Sequence, residues 1–251
     1  MTKNSYLLFA RILLYMVFIF LFGFSLKAYS QEDTTKTGED GINVSADLVS
    51  SYVWRGVCLD LSPNIQPTFS YTKGNFEVGF WGSVNIFGTY SETDIYLSYS
   101  YKNLTFTFFD YFTGNEKYFK YDNNNTSHVF EVLAEFTPEK IPLKITGGSW
   151  VYGDDKKMII NSISGDTTFA NQYSSYVELA YMFSSNQIDL ELSIGGTPIE
   201  GFYGNKAGIN NITLSVEKKI SINSKYNLPI KAAVVANLQE EKIFMVLGIK
   251  I

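Results

Sequence analysis

The chain is poor in the residues from which most chemical sites are built. Its 251 residues include one cysteine, Cys58, and one histidine, His128. A disulfide framework needs pairs of cysteines and a structural zinc site needs about four Cys or His ligands, so both are excluded. Only 18% of residues are charged, and 20 basic groups face 25 acids, a net charge of −5. A disordered chain carries more charge, and a protein held to nucleic acid by phosphate contacts carries a basic excess. The 6 prolines and 19 glycines show no strict spacing, which removes a collagen-like chain. Beyond residue 30 no run reaches the roughly 18 apolar residues of a spanning helix, and no window keeps apolar residues at i, i+3, i+4, i+7.

Aromatic residues are abundant instead, at 16%, with 20 Phe, 18 Tyr and 3 Trp. The first segment reads as a secretory signal: Lys3 and Arg11 are basic, residues 12–24 are apolar or glycine, and Ala28 and Ser30 are the small residues of a cleavage site before Gln31. The expected organisation is a signal peptide over 1–30, a polar flexible leader over 31–41 and one domain over 42–251. Losing Lys3, Arg11 and Lys27 removes three bases and no acid, so the exported part moves from −5 to −8.

That domain alternates with period two. Ile65, Pro67, Phe69 and Tyr71 share one parity while Gln66, Thr68, Ser70 and Thr72 share the other. After Lys73-Gly74-Asn75 the pattern resumes with Phe76, Val78, Phe80, Val84 and Ile86. Successive strand side chains point to opposite faces, so each segment has one greasy and one polar side. Turn signals divide the domain into about twelve strands, near residues 42–53, 64–72, 76–86, 93–101, 104–113, 127–136, 143–152, 172–183, 187–196, 208–219, 228–237 and 242–251. Asp110 shares parity with Leu104, Phe106 and Phe108, which predicts a bulge there or a position at the membrane rim. Even-numbered joints are mostly tight and odd-numbered joints mostly long. The expectation is an all-β, transmembrane, antiparallel up-and-down barrel of about twelve strands, with short periplasmic turns, longer extracellular loops and both termini on the periplasmic side.

A soluble barrel also alternates, with the greasy face inward. Three features favour hydrocarbon outside. The polar parity is crowded with charge, at Asp47, Glu77, Asp94, Glu131, Glu135, Lys144, Glu178, Asp189, Glu191, Glu217, Lys231 and Lys242. Tyr52, Trp54, Tyr90, Tyr101, Trp150, Tyr152, Tyr173 and Tyr181 gather near strand ends, as headgroup-level rings do. The chain also stops on a strand in which Ile243, Met245, Leu247, Ile249 and Ile251 alternate with the other face.

The stretch VSADLVSSYVWRGVCLDLSPNIQPTFSY, followed by GNFEVGFWGSVNI, resembles the opening of the TorF-like porin family, also described as the Gcw_chp proteins. The likeness rests on Ser45, Asp47, Ser51, Tyr52, Trp54, Arg55 and Gly56, then Pro63, Gln66, Gly79, Trp81 and Ser83. It implies an outer-membrane β-barrel that forms a pore, and brings no substrate and no catalytic residue. The terminal strand 242–251 resembles the insertion signal read by the barrel-assembly machinery, with Ile251 where an aromatic is more usual.

Arg55 is the only arginine after the signal and shares parity with Asp47, towards the interior. Its guanidinium suits a carboxylate or phosphate held bidentately, as a constriction cation or as a structural ion pair. The candidate pore-lining set is therefore Arg55 with the charged residues above, nine acids among them, which predicts a modest cation preference. Inward Trp81, Tyr96 and Trp150, or an inward fold of 153–171, would plug the lumen. No enzyme is expected: His128 is the sole histidine and Ser127 points to the opposite face. Asp154-Asp155 and the run 122–125 are weak candidates for Ca²⁺, read instead as turn residues. The expected role is a passive outer-membrane channel for small solutes, with no cofactor and no nucleic-acid partner. The rival is a closed barrel whose loops bind a partner or surface polymer.

Overall fold

The computed structural model describes residues 40–114, 117–122, 126–161, 165–223 and 226–251. The expected signal peptide and leader residues 31–39 lie outside them. In chain order the strands are β1 (Gly41–Val49), β2 (Tyr52–Trp54), β3 (Val57–Asp60), β4 (Asn64–Lys73), β5 (Phe76–Asn85), β6 (Ser91–Tyr101), β7 (Leu104–Phe112) and β8 (His128–Phe136). They continue with β9 (Leu143–Gly153), β10 (Lys156–Ile160), β11 (Thr167–Asn171), β12 (Ser175–Ser185), β13 (Ile188–Thr197), β14 (Gly208–Asn223), β15 (Tyr226–Asn237) and β16 (Lys242–Lys250). Twelve of them close an antiparallel barrel, and β2–β3 and β10–β11 are separate hairpins.

Closure comes at the seam of β1 and β16, where Asp47, Leu48 and Val49 pair with Lys250, Ile249 and Gly248. Ala46 and Ile251 extend the seam by exchanging both backbone hydrogen bonds at 2.9 Å. An unclosed edge in hydrocarbon would leave N–H and C=O groups without partners. Wall strands of 10 residues, such as β4 and β5, match the length of a tilted spanning strand.

Side-chain placement is the reverse of a soluble core. On β4, Phe69 is 46% exposed on the outer surface while its neighbour Ser70 is 4% exposed on the inner one. The same division holds on β7, with Phe106 and Phe108 outside and Thr107 inside. Asn64, Gln66, Thr72, Ser83, Thr146, Ser193 and Asn211 are all buried in the interior. An apolar surface this continuous is unfavourable in water, by about 25 cal/mol for each Å² exposed, and carries no such cost in hydrocarbon.

Five expectations change in detail. The first predicted strand divides: β1 stops at Val49 and Tyr52 opens the β2–β3 hairpin. β12 begins at Ser175, because Tyr173 has a positive φ of 56° and Ser174 is tied to Asp155, and β14 runs on to Asn223. Of the two readings of Asp110, the bulge is absent from its own strand, whose register is regular against both neighbours, and the irregularity lies on β8–β9 between Phe130 and Glu131; Asp110 sits instead near the end of β7 beside His128. The aromatic belt is also smaller than expected. Tyr101 and Tyr173 are exposed, but Tyr52 and Trp150 are buried, because they pack in the interior against Trp81 and Tyr203 respectively.

Candidate functional site: a strapped lumen

The site begins with a turn. Arg55 and Gly56 both have positive φ, 49° and 79°, as the two central residues of a tight hairpin turn require. Gly56 also meets the barrel wall so closely that a Cβ would stand 1.9 Å from the carbonyl oxygen of Asn210. Two wall amides hold the tip: Asn210 Nδ2 on β14 donates to the Arg55 carbonyl at 2.9 Å, and Asn237 Nδ2 on β15 donates to the Gly56 carbonyl at 3.0 Å.

The hairpin leaves from β1 and returns to β4, which are adjacent, yet the Arg55 side chain ends on β8. Its Nη1 and Nη2 donate to Glu131 Oε1 and Oε2 at 2.6 and 3.0 Å, and Nη1 also donates to Tyr203 Oη at 2.6 Å. Tyr111 Oη donates to Glu131 Oε2 at 2.6 Å. The guanidinium carbon lies 4.3 Å from the Trp54 ring centre and 5.0 Å from that of Tyr176. The Glu131 side chain is 0% exposed and that of Arg55 10%. A buried pair broken on one side typically costs about 3–5 kcal/mol, because the remaining charge keeps its desolvation penalty and loses its partner. The contact therefore resists single breakage, and it straps the lumen from wall to wall.

The hairpin root is anchored separately. Tyr52 packs on Trp81 with ring centres 5.5 Å apart. Asp60 accepts from the Ser62 N–H at 2.9 Å and from the side-chain amides of Asn85 at 2.6 Å and Asn64 at 3.3 Å. Burial pushes the Asp60 carboxyl up, but these hydrogen bonds outweigh it and the pKa is lowered from its ordinary value of 3.8.

Beneath the strap lies a cavity of about 590 Å³. Tyr52, Trp54 and Arg55 form its roof, and its lining runs down to the tight turn at Gly74 and Asn75. Trp81, Tyr96 and Phe109 supply ring faces, and Glu77, Asp94 and Glu135 supply carboxylates.

Every charged strand residue singled out in the sequence lies on the inward parity. Asp47 is paired with inward Gln66. Across the barrel Lys144 is 3.8 Å from Glu191, Glu178 accepts from Tyr176 Oη at 2.6 Å, and Asp189 is 3.7 Å from Lys219. Glu217 sits between Asp189 and Lys231 in the ladder, and Lys242 reaches Glu240 at the rim. Of the whole set, only Arg55 and Glu131 are drawn together into a buried pair, and Arg55 reaches the interior by the hairpin's inward fold, not by strand parity. Sequence reasoning missed Tyr203, Asn210 and Asn237. The Arg-Gly step between alternating Tyr52-Val53-Trp54 and Val57-Cys58-Leu59 is a hairpin signal that could have located the tip. Nothing local marks the three residues that receive it.

Trp81, Tyr96 and Trp150 do face inward, whereas the segment expected to fold in from the β9 end forms the outer β10–β11 hairpin, with Met158 and Phe169 exposed. His128 opens β8 on the outer face at the rim. It pairs through Nδ1 with Asp110 Oδ1 at 2.6 Å and through Nε2 with the carbonyl of Tyr118, under the segment 117–122. A carbonyl only accepts, so Nε2 carries a hydrogen and a single proton lies between Nδ1 and Asp110. Both nitrogens are engaged in holding the loop down. Asp155 likewise uses both oxygens on Ser174, accepting from its N–H and its hydroxyl. Residues 123–125 of the Asp-Asn run lie outside the described residues, and among the described residues no group of three or more His, Cys, Asp or Glu could hold a metal ion.

No family model matches the chain, and no curated protein matches it. Among solved structures, the fold is similar to a porin, with a TM-score of 0.39 and 12% identity over 76% of this chain. This chain spans 62% of that porin's length. It is also similar to an outer membrane channel from Pseudomonas putida F1, with a TM-score of 0.44 and 11% identity, covering 88% of this chain and 98% of the other. At such identities and scores the likeness carries no functional detail across.

Proposed function

We propose that the protein is an outer-membrane channel for small solutes whose loop end is strapped by its own first loop. The observation that carries this reading is the inside-out barrel: a polar, partly hollow interior within an apolar outer surface, crossed by one hairpin whose tip is held by Arg55, Asn210 and Asn237. An apolar outer surface fits hydrocarbon, and a hydrogen-bonded interior with a cavity of about 590 Å³ fits water and solute. Twelve strands stand between small side-chain-filled barrels and open porins, so a single hairpin suffices to decide whether the lumen conducts. The inward excess of acids favours cations modestly.

Export through a cleaved signal over 1–30, and insertion by the assembly machinery through strand 242–251, belong to the same reading. So does the likeness to the TorF-like family, because its Tyr-x-Trp-Arg-Gly run, Tyr52 to Gly56, is the strap itself. The rival is a permanently closed barrel that works through its outer loops, and the cross-lumen hairpin favours it. Planar-bilayer recording and liposome swelling separate the two. Small-solute entry through the intact chain, rising when residues 52–60 are replaced by a short Gly-Ser link, supports the strapped channel. An intact barrel that stays impermeant after that replacement supports the rival.

A further inference from the structure

The lining of the cavity under the strap is unevenly equipped. Two of its three phenols are engaged within the wall: Tyr96 Oη donates to Glu77 Oε1 and Tyr111 Oη to Glu131 Oε2, each at 2.6 Å. Thr72 Oγ1 donates to Glu77 Oε2 at 3.3 Å. The hydroxyls of Ser98 and Thr107 bond each other at 2.8 Å, and those of Ser100 and Thr105 at 3.0 Å. The one cation in the lining, Arg55, is matched by Glu131. Acceptor capacity and ring faces remain. Among the described residues the Glu135 carboxylate has no hydrogen-bonding or ionic partner, and Trp81, Tyr96 and Phe109 turn into the same space.

We infer that this cavity is a binding site for a small organic cation, an ammonium or guanidinium carried on a compact apolar body. An anion would meet carboxylates and no free cation. A cation needs acceptors and π faces, which Glu135 and the rings of Trp81, Tyr96 and Phe109 supply together, and aromatic rings beside carboxylates hold quaternary ammonium groups through the ring quadrupole. The volume, about 590 Å³, is in the range of small-molecule sites. The roof closes the end that carries the long loops, so the ligand enters past Gly74 and Asn75, from the end that carries the tight turns. This deepens the channel reading by naming the solute class, and it rests on that reading only in placing water in the lumen.

The probe is choline, compared with its uncharged isostere in which a tert-butyl group replaces the trimethylammonium. Binding to the detergent-solubilised full chain is followed by tryptophan fluorescence, since Trp54 and Trp81 line the cavity. The expected result is choline binding about tenfold tighter than the isostere, with acetate and glucose weaker than both. Glu135→Gln and Trp81→Leu each reduce choline affinity, whereas Glu200→Gln, in an exposed ion pair outside the lining, leaves it unchanged. Equal affinity for choline and isostere, tighter binding of glucose or acetate, or choline affinity indifferent to Glu135→Gln and Trp81→Leu overturns the assignment. The wild-type comparison decides even where a variant does not fold. Choline binding by a chain that passes no current sinks the channel reading alone, and a conducting chain that does not discriminate choline from its isostere sinks this inference alone.

Discussion

Two hairpins rise from the same end of this barrel and meet opposite fates. β2–β3 folds inward, its tip carbonyls taken by Asn210 and Asn237 and its arginine by Glu131 and Tyr203. β10–β11 stays outside: Met158 and Phe169, opposite each other in its ladder, are 58% and 61% exposed, and its outward tie is the surface pair Lys157–Glu200 at 3.1 Å. A two-stranded ribbon is marginal alone in water, so each needs external support. The difference lies in what each hairpin offers. Arg55-Gly56 presents a charge that a buried carboxylate can receive and a residue slim enough for the wall, whereas the β10–β11 strands carry Met158, Ile159, Ile160 and Phe169, apolar side chains for which a polar lumen has no place.

The largest effect that would break this comparison is loss of the strap's function on removal. Replacing residues 52–60 by a Gly-Ser link is expected to raise single-channel conductance severalfold, while replacing residues 156–171 leaves it unchanged. Equal responses from both deletions would show that the inward hairpin is not special.

Next comes Glu131→Ala, which strands the Arg55 guanidinium and is expected to cost about 3–5 kcal/mol in denaturant unfolding. The double variant Arg55→Met with Glu131→Leu should recover most of that stability and leave the strap loose in conductance. A double-mutant cycle with no coupling would remove the pair from the account.

Gly56→Ala sharpens the contrast at one atom. The added methyl group would lie 1.9 Å from the Asn210 carbonyl at a positive φ, so the tip must withdraw, at a strain of about 1–3 kcal/mol. The expected readout is flickering current and faster proteolysis within residues 50–63. Unchanged gating with normal protection would show that the tip tolerates displacement. By comparison, Lys157→Ala on the outer hairpin should shift stability by no more than about 0.5 kcal/mol, since its ion pair is exposed.

The smallest effect concerns acid. The Asp60 pKa is lowered on folding, so its stabilisation of the strap's root is fully present above the unfolded carboxyl range, near pH 4, and is lost as pH falls through the folded value. Protease sensitivity of the first loop should therefore rise below about pH 4 in the wild type. Asp60→Asn should show no such acid-dependent rise, and an identical acid profile in that variant would contradict the role given to Asp60.

Much of the wall was legible because alternation is a local signal. Phe69 and Ser70 differ in destination for a reason visible at once in their parity, and the same rule placed Glu77, Glu131, Glu178 and Glu217 inward. Asp110 defeated the rule because its polarity is answered from another strand, by His128, beneath a loop that covers both. Tyr52, Trp54 and Trp150 looked like headgroup rings because strand-end aromatics are common at membrane rims; the inward hairpin places the first two inside, and the third packs against Tyr203. Arg55 was a candidate cation from its solitude alone, but its partner lies 76 positions away.

Strand number, alternation and the crowding of charge onto one parity follow from the order of residues, because each depends only on near neighbours along the chain. The closing of β1 on β16, the crossing of the lumen by Arg55 and the hollow beneath it depend on which distant residues meet once the cylinder has closed. Desolvation makes those meetings consequential: a guanidinium in water needs no particular carboxylate, but one enclosed by a barrel requires Glu131.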